Sequence, residues 1–420
     1  MILSGRGAAN RLLTWEEARA VTADALAVEP IEGKRVLVII PDQTRSGPLP
    51  FFFRLFCELL KPRASRLDFL VALGTHPPLG EDAMNRLLGI SREERAGKYA
   101  GVGVHNHHWE RPETFQETGV IPADEISNLS GGLMREEVRV AVNRMALDAD
   151  RVIIWGPVFP HEVVGFSGGH KYFFPGIGGR EIIDFTHWLG AVITSRKIIG
   201  TRDTPVRRVI ERAAGLTGVK ALGFSAVARG ERDLIGLFAG EPFAAWTAAA
   251  ELSAREHIKY VDRPFSRALA VMPEMYGDLW TGAKGMYKLE PAMADGGEVV
   301  IYAPQIRELS SVHGRLIEQV GYHVRDYFLA QADRFSGVSR CVLAHSTHLR
   351  GAGTFEGGVE RPRVKVTLAT SIPPGLCAKI GLGYLEPASV KFEEWQNREA
   401  EGILFVPRAG ETLYRLREKS

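Results

Sequence analysis

Three mainly apolar runs constrain the fold of this 420-residue chain more than any other feature. The runs span residues 35–40, 67–73 and 152–155, and each ends in a loop that is rich in polar residues or glycine. A continuous apolar run is typical of a strand that is buried on both faces of a parallel sheet. Because helical patterns separate the runs, the sequence predicts an α/β fold that binds ligands at the carboxyl ends of its strands.

The helical patterns of the first half begin with a capping box, in which Thr14 is followed three residues later by Glu17. Helical composition then covers residues 49–60, 82–88, 203–216 and 244–258. After Arg263-Pro264, a second series of strand-like segments begins, at residues 267–272, 297–302, 341–344, 364–369 and 402–406. The length of the chain also exceeds what one hydrophobic core usually serves. The sequence therefore predicts two α/β domains, 1–263 and 264–420, with mainly parallel sheets and an active-site cleft between them.

Composition and charge exclude several classes of protein. A formal net charge of +2 argues against a dedicated nucleic-acid surface. No stretch approaches the ~20 apolar residues of a membrane span, and the first residues lack the apolar core of a signal peptide. Cys57, Cys341 and Cys377 are far apart and odd in number, which fits a reducing compartment. We expect a cytoplasmic protein that binds neither nucleic acid nor membranes.

Polar side chains follow the first two strands. Asp42 and Arg45 come after the first strand, and on their own they favour a charged turn in which Asp42 caps the next helix. His76 follows the second strand before two prolines, which is compatible with a rigid turn. A histidine at the end of a strand is nevertheless well placed for acid/base chemistry at neutral pH.

The stretch from residue 160 to residue 189 contains the densest set of candidate functional groups. Ser167-Gly168-Gly169 would let backbone N–H groups approach a bound anion, and Lys171 stands two residues beyond. His161 precedes the glycines and His187 follows them, so both imidazoles could face one pocket. No Walker A loop and no Gly-x-Gly-x-x-Gly motif after a strand is present, which argues against ordinary ATP and NAD sites.

His107 and His108 suggest a metal site at first sight. Successive side chains in an extended segment point to opposite faces, so an ordinary strand or loop edge is the favoured interpretation.

Taken together, these loops resemble those of the nickel-dependent lactate racemase family, whose members use a nickel-pincer nucleotide. The similarity extends over most of the chain, and the order and spacing from His161 through Lys171 to His187 are its most specific part. The motifs that carry it are Pro41-Asp-Gln-Thr-Arg45, Gly74-Thr-His76, His161, Ser167-Gly-Gly-His-Lys171-Tyr-Phe-Phe-Pro-Gly and His187.

The resemblance implies that domain 1–263 holds pyridinium-3,5-bisthiocarboxylic acid mononucleotide nickel and that domain 264–420 closes over the substrate. Lys171 would be linked to this cofactor, and His187 would coordinate the nickel, which accepts imidazole and sulfur ligands. His76 and His161 would be the catalytic acid/base pair. The remaining implied roles are cofactor binding by Asp42, Thr44, Ser167, Gly168 and Gly169, and substrate binding by Arg45, Lys284, Trp280 and Thr281.

The reaction that the resemblance implies is racemisation or epimerisation of a small 2-hydroxy acid. Hydride abstraction would give a 2-oxo acid intermediate, and return of the hydride to the opposite face would invert the centre. Such a reaction needs two bases on opposite sides of the substrate. The implied partners are the small-molecule 2-hydroxy acid and the enzymes that synthesise the cofactor.

One departure from the family pattern concerns the substrate. The lactate enzymes carry a tyrosine and a glutamine before the lysine that matches Lys284, whereas this chain has Trp280 and Thr281. The change alters the hydrogen bonds and the volume at the substrate pocket. A different, larger 2-hydroxy acid or a sugar acid is therefore as well supported as lactate.

Two other functions stay open. One is a metal-dependent hydrolase or lyase that has no pincer cofactor and uses His76, His161 and His187 directly. The other is a binding protein that captures a phosphorylated metabolite on the glycine loop. The histidine pair argues against the second, because anion capture alone would favour arginine or lysine.

Overall fold

The computed structural model describes residues 1–417, whose strands and helices follow most of the predicted ranges. The strands, in chain order, are β1 Ile2–Gly7, β2 Arg35–Pro41, β3 Arg66–Ala72, β4 Val102–Asn106, β5 Phe115–Ile121, β6 Val138–Asn143, β7 Arg151–Pro157, β8 Pro160–His161, β9 Gly165–Phe166, β10 Ala221–Arg229, β11 Asp233–Gly240, β12 Ile258–Val261, β13 Phe265–Val271, β14 Met293–Ala303, β15 Gly353–Glu356, β16 Val359–Pro362, β17 Lys365–Thr370, β18 Gly383–Tyr384, β19 Ile403–Val406 and β20 Leu413–Leu416. The α-helices are α1 Trp15–Ala27, α2 Leu49–Leu60, α3 Glu81–Leu88, α4 Arg92–Ala96, α5 Ala123–Ser130, α6 Arg144–Asp148, α7 Arg180–Ile193, α8 Ser195–Ile198, α9 Pro205–Leu216, α10 Pro242–His257, α11 Leu279–Gly282, α12 Lys284–Tyr287, α13 Gly314–Val320, α14 Arg325–Ala330, α15 Arg340–Arg350 and α16 Pro374–Lys379.

Spatial contacts divide the chain into two units. The first unit consists of Met1–Phe159, Phe166–Ile183 and Arg207–Glu256. The second unit consists of Pro160–Gly165, Asp184–Val206 and His257–Ser420. Two short segments from the first half of the chain therefore belong with the second half, and His161 and His187 lie in them. The division of the chain into two domains, 1–263 and 264–420, stays a prediction.

The first unit contains a mixed sheet with the strand order β1-β11-β10-β7-β2-β3-β4. The strands from β10 to β4 are parallel, and β11 runs antiparallel to both of its neighbours, β10 and the edge strand β1. The chain order reverses at β2, because β3 and β4 extend to one side of it and β7 and β10 to the other. The carboxyl ends of β2 and β7 therefore flank a topological switch point, where open α/β sheets bind their ligands.

Helix α2 fixes the loop that follows β2. Its aromatic residues are buried against three strands of the sheet: Phe53 contacts Phe69, Phe52 contacts Trp155 and Phe56 contacts Phe224, with ring centroids 4.8, 5.0 and 5.3 Å apart. Each buried aromatic side chain contributes roughly 1.5–3 kcal/mol of transfer free energy. The capping box predicted for α1 is also confirmed, with the Glu17 N–H 3.1 Å from the Thr14 hydroxyl oxygen.

The second unit contains a parallel sheet with the strand order β18-β17-β14-β13-β19. A parallel pair, β12 with β20, and an antiparallel pair, β15 with β16, lie outside that sheet. The two sheets confirm the predicted α/β fold with mainly parallel strands. Across the described residues, 1–417, we find no helix with the length and apolar character needed to cross a bilayer.

The strand predicted at residues 341–344 is wrong, because these residues form part of α15. Every residue from Cys341 to Leu349 is buried. A helix that is buried all round presents a continuous apolar run, which sequence periodicity cannot distinguish from a buried strand. The correction places His345 and His348 on one helix, three residues apart.

The backbone conformations of two glycines near the end of α9 can be tested by measuring stability. Gly215 is exposed, lies in helical conformation, and has no atom within 4 Å of an added Cβ. Gly215→Ala should raise the free energy of unfolding by roughly 0.5–1 kcal/mol, because alanine reduces the entropy of the unfolded chain.

The matched control is Gly218→Ala, which also meets open space but has a φ of +66°. Alanine in the left-handed region costs roughly 1–2 kcal/mol, so this variant should be destabilised. Urea unfolding followed by circular dichroism measures both changes. Midpoints that shift in the same direction would contradict the assigned backbone conformations.

Candidate active site

The loop after β2 brings Asp42 to the carboxyl end of the first sheet. One carboxylate oxygen of Asp42 accepts hydrogen bonds from the backbone N–H and the hydroxyl of Thr44, at 3.0 and 2.7 Å. The other oxygen contacts Nδ1 of His76. Asp42 does not cap α2, which begins after Pro48 without a side-chain cap. The carboxylate instead joins the loops that follow β2 and β3.

His76 is held at both its backbone and its ring. Its N–H donates to the Leu73 carbonyl at 2.9 Å, and its carbonyl accepts from the Trp109 indole at 3.1 Å. A neutral imidazole that donates from Nδ1 to a carboxylate carries no proton on Nε2. The side chain is 29% exposed, so Nε2 is available as a proton acceptor.

Asp42 stays ionised at neutral pH. Burial raises the pKa of its carboxyl, but the opposing effects of His76, Arg45 and Thr44 are larger in sum and leave the pKa below its usual range. An aspartate with a lowered pKa stabilises the fold above about pH 4, and this contribution is lost as the pH falls further. The carboxylate of the Asp42–His76 pair is therefore negatively charged over the whole neutral pH range.

Tyr172 is a site residue that the sequence interpretation missed. The phenol is buried, and burial raises its pKa; Arg45 opposes that shift and Asp42 adds to it. The hydroxyl group lies against β7, since a Cβ placed on Gly156 would come within 1.9 Å of Tyr172 Oη. The one available signal was its position directly after Lys171 in the quoted motif.

The Ser167-Gly168-Gly169 segment is tightly packed in the first unit. The Ser167 hydroxyl donates to the Pro157 carbonyl at 3.0 Å and accepts from the Phe159 N–H at 2.9 Å. Gly168 and Gly169 have φ values of +88° and +60°, which favour glycine. An added Cβ would lie 2.6 Å from Val158 at Gly168 and 3.0 Å from Trp246 at Gly169. Packing therefore requires both glycines, whatever else the segment binds.

A buried arginine, Arg207 of α9, holds this segment in place. Its guanidinium donates to the carbonyl oxygens of Phe166 and Gly168, at 2.5 and 3.2 Å, and stacks 4.1 Å from the Trp246 ring. Burial lowers its pKa to about 10, against the opposing charge of Glu211, so Arg207 remains protonated at neutral pH. Sequence analysis missed Arg207, because nothing in its local pattern distinguishes it from a solvated arginine.

Lys171 lies in a 3₁₀ turn, Gly169–Tyr172, and is half-buried. Its N–H donates to the Gly168 carbonyl at 3.3 Å, and its carbonyl accepts from the Gly176 N–H at 3.0 Å. The Gly176 carbonyl in turn accepts from the Gly74 N–H at 2.9 Å. Backbone hydrogen bonds thus connect the Lys171 turn to the Gly74-Thr75-His76 turn. The first unit contains the predicted residues Asp42, Thr44, Arg45, His76, Ser167, Gly168, Gly169 and Lys171.

In the second unit, His161 is buried beside Glu162. Its Nδ1 accepts from the Val163 N–H at 3.2 Å and lies 3.2 Å from the Glu162 carboxylate. A neutral ring that accepts at Nδ1 carries its proton on Nε2. Glu162 is placed to stabilise the ring when both nitrogens are protonated.

His187 lies on α7 among other imidazoles of the second unit. Burial lowers the pKa of His348 to about 4, with Glu162 opposing this shift and His187 adding to it. Burial likewise lowers the pKa of His345 well below its usual value, and His348, His313 and His187 add to that effect. In the described structure, both ring nitrogens of His348 are buried without a hydrogen-bond partner. Two imidazoles near His187, those of His345 and His348, are therefore neutral.

The predicted substrate-binding residues of the second unit cluster around α11. The Thr281 hydroxyl and N–H both donate to the Asp278 carboxylate, at 2.7 and 3.0 Å. The Trp280 ring stacks on His345 with centroids 4.0 Å apart and planes at 22°. The buried Lys284 places Nζ 4.4 Å from the centre of the Tyr276 ring.

His107 and His108 do not converge. His107 Nδ1 lies 3.1 Å from the Asn143 side-chain amide, whereas His108 Nδ1 lies 2.9 Å from Glu110. Within residues 1–417, no group of three or more histidine, cysteine, aspartate or glutamate side chains is arranged to hold a metal ion by itself.

Comparison with known proteins shows similarity to lactate racemases. The family model described as the lactate racemase N-terminal domain matches residues 20–200. Lactate racemase from Thermoanaerobacterium thermosaccharolyticum is 24% identical over 298 residues, which are 67% of this chain and 62% of that protein. Lactate racemase from Lactiplantibacillus plantarum is 25% identical over 281 residues, which are 66% of this chain and 61% of that protein. The matched region thus spans less than two thirds of either relative.

Solved structures extend the similarity to almost the whole chain. A crystal structure of a Thermotoga maritima protein has a TM-score of 0.87 at 34% identity and covers 96% of this chain and 99% of its own. The lactate racemase apoprotein from T. thermosaccharolyticum shares the fold, with a TM-score of 0.67 at 18% identity over 92% of this chain and 88% of its own. The range that matches the N-terminal model contains His76, Lys171 and His187, and this match together with the two lactate racemase relatives supports membership of the chain in the lactate racemase family.

Proposed function

We propose that this protein is a racemase or epimerase of a small 2-hydroxy acid and that it uses a nickel-pincer nucleotide linked to Lys171. The observation that carries the proposal is the Asp42–His76 pair at the carboxyl ends of β2 and β3. Backbone hydrogen bonds tie the turn that holds His76 to the turn that holds Lys171. The family reaction needs two groups in this unit: a base of fixed orientation, which His76 would provide, and an amine for cofactor attachment, which Lys171 would provide.

His76 would act as one of the two bases. The carboxylate of Asp42 holds the Nδ1 proton and so keeps Nε2 free to take the hydroxyl proton of the substrate. The imidazolium that forms is stabilised by the adjacent charge of Asp42, whose pKa is held below its usual range. Asp42 is thus a positioning residue, and Thr44 fixes the rotamer of its carboxylate.

His161 would act as the second base, with Glu162 in the position that Asp42 has beside His76. The neutral ring of His161 bears its proton on Nε2, so it is set to donate where His76 is set to accept. A reaction that removes a hydroxyl proton in one half and returns it in the other requires this complementarity. Either histidine then serves as base for one enantiomer and as acid for the other.

The residues present fit the proposed cofactor. Lys171 offers an amine on a turn of fixed backbone, and His187 offers an imidazole among neighbours whose lowered pKa values keep them neutral. Such surroundings favour a metal ligand, because the neutral rings of His345 and His348 do not repel the cation. The chemistry that the cofactor supplies when bound is acceptance and return of the hydride at C2 of the substrate. Enzymes that synthesise the cofactor would therefore be partners of this chain.

Arg45 and Lys284 would bind the substrate carboxylate, and Trp280 and Thr281 would contact the rest of the substrate. Because the Thr281 hydroxyl donates to Asp278, its remaining lone pairs present an acceptor where the lactate enzymes carry an amide. Trp280 is a flat, partly exposed wall stacked on His345. These features favour a 2-hydroxy acid larger than lactate, such as a sugar acid.

The alternative functions have weaker support. Capture of a phosphorylated metabolite on the glycine loop would leave the Asp42–His76 pair without a role. The hydroxyl of Ser167 is also occupied by backbone groups of Pro157 and Phe159. A hydrolase or lyase without the pincer cofactor would leave Lys171 without a role. The three cysteines are buried and reduced, in keeping with the proposed cytoplasmic location.

The contact between Asp42 and His76 gives a direct prediction for Asp42→Asn. Asparagine cannot hold the Nδ1 proton of His76 as a carboxylate does, so kcat should fall roughly 100-fold to 10,000-fold while KM changes little. Cofactor content should be unchanged. Steady-state racemisation across pH 5–9 measures the effect and shows whether the acid limb of the profile moves.

The matched control is Asp68→Asn, which removes a similar carboxylate 3.0 Å from His105 Nε2 in the same unit. This pair has no proposed catalytic role, so activity should remain close to that of the parent chain. Equal losses in both variants would mean that Asp42 acts through folding alone.

Cofactor attachment gives the test of the function as a whole. The chain, produced together with the cofactor-synthesis enzymes, should bind nickel, carry a sulfur-containing mass adduct and racemise at least one member of a panel of 2-hydroxy acids. Lys171→Ala should lose the adduct, and His187→Ala should bind less nickel. Intact-protein mass spectrometry and metal analysis read these changes independently of activity.

Lys220→Ala, which removes an exposed lysine of the first unit, serves as the control and should keep adduct and nickel. Adduct and nickel at parental levels in Lys171→Ala and His187→Ala would refute the assigned roles.

A further inference from the structure

A cavity of about 500 Å³ lies in the first unit beside the loop that follows β2. Gln43 and Arg45 line it from that loop, and Trp155 and Pro157 line it from the end of β7. This position is the topological switch point of the sheet, where open α/β folds bind ligands. The volume lies within the range of small-molecule sites, roughly 300–1,000 Å³.

The lining of the cavity differs from the contacts of the proposed catalytic pair. Asp42 binds His76 and Thr44, whereas Gln43 and Arg45 contribute to the cavity wall. His76 and Lys171 are not among the lining residues that the structure describes. The ligand of this cavity therefore has to be identified separately from the cofactor proposed at Lys171.

The charge around the cavity is positive. Three guanidinium groups, of Arg45, Arg86 and Arg232, line it together with one carboxylate, that of Glu231. Within residues 1–417, the side chains of Arg86 and Arg232 form no ion pair and no hydrogen bond. The guanidinium groups of Arg86 and Arg232 therefore favour binding of a carboxylate or a phosphate, which guanidinium groups bind in a bidentate manner.

The wall of the cavity also offers a flat apolar surface. Trp15 is 41% exposed, and its ring packs on Phe51 with ring centroids 4.5 Å apart. Trp155, near the carboxyl end of β7, is fully buried, and its indole N–H has no acceptor in the described structure. A buried donor without an acceptor is costly, and a polar ligand that reached it would offset that cost.

We propose that this cavity is a binding site for a small organic anion with a planar, apolar body. Arg86 and Arg232 hold the charged headgroup, and Trp15 and Phe51 contact the ring. The headgroup is a carboxylate or a phosphate, since both have the same acceptor geometry. The site shares Arg45 with the proposed substrate contacts but does not require the racemase chemistry, and a ligand in it would contact the loop that orients Asp42.

Isothermal titration calorimetry on the chain produced without the cofactor-synthesis enzymes tests this site apart from the proposed function. The probes are phenyl phosphate and benzoate, with inorganic phosphate and benzyl alcohol as the headgroup and the ring alone. One of the two ring anions should bind more tightly than either fragment. The better of the two identifies the headgroup.

Two changes should weaken that binding by different means. The double variant Arg86→Gln, Arg232→Gln should raise the Kd of the better probe about tenfold, as expected for two exposed charge contacts. Gly47→Val should block the cavity without changing its charge, because a Cβ at Gly47 makes ordinary contacts with Trp155 and Pro157 at 3.5 and 3.7 Å.

The control is Arg255→Gln, which removes an exposed arginine of α10 and should leave binding unchanged. Circular dichroism confirms that each variant is folded. Absence of binding by both ring anions, or an equal Kd in the parent chain and the double variant, would overturn the proposal.

Discussion

The site of the first unit depends on the hydrogen bonds and the ring stacking that the Arg207 guanidinium makes. This guanidinium is buried, and it donates to the carbonyl oxygens of Phe166 and Gly168 while it stacks on Trp246. Removing one partner of such a buried, charged network typically costs 3–5 kcal/mol, because the remaining polar groups cannot be solvated. The backbone of the glycine segment, and with it the turn that carries Lys171, is therefore fixed before any ligand binds. A preorganised attachment point loses little entropy when it reacts.

The electrostatics of the site follow from burial and pairing rather than from net charge. Asp42 is buried but remains ionised because His76 and Arg45 are close to it, so it can orient one imidazole and stabilise its protonated form. Burial lowers the pKa values of His345 and His348, although Glu162 opposes this effect at His348, and both rings stay neutral. Histidines of one chain thus acquire different roles from their surroundings, as two-base chemistry on a single substrate demands.

The sequence predicted the features that depend on local pattern. The buried strands, the capping box at Thr14 and the bounds of α2 are all set by neighbouring residues, and the structure agrees with them. Arg207 and Tyr172 could not be found in this way, because their roles arise from contacts with residues that are distant in sequence. The strand expected at residues 341–344 failed for a related reason: burial on all sides of α15 depends on the elements packed around it.

The central claim is that two histidines serve opposite enantiomers, and single-turnover measurements on His76→Ala and His161→Ala test it most directly. Each cofactor-loaded variant is mixed with each enantiomer of the best substrate, and formation of the 2-oxo acid is followed together with the cofactor absorbance. Steady-state racemisation should fall roughly 100-fold to 10,000-fold in both variants. One variant should still oxidise one enantiomer in a single half-reaction, and the other variant should oxidise its mirror image. Racemisation at near parental rates in both variants would contradict the two-base account.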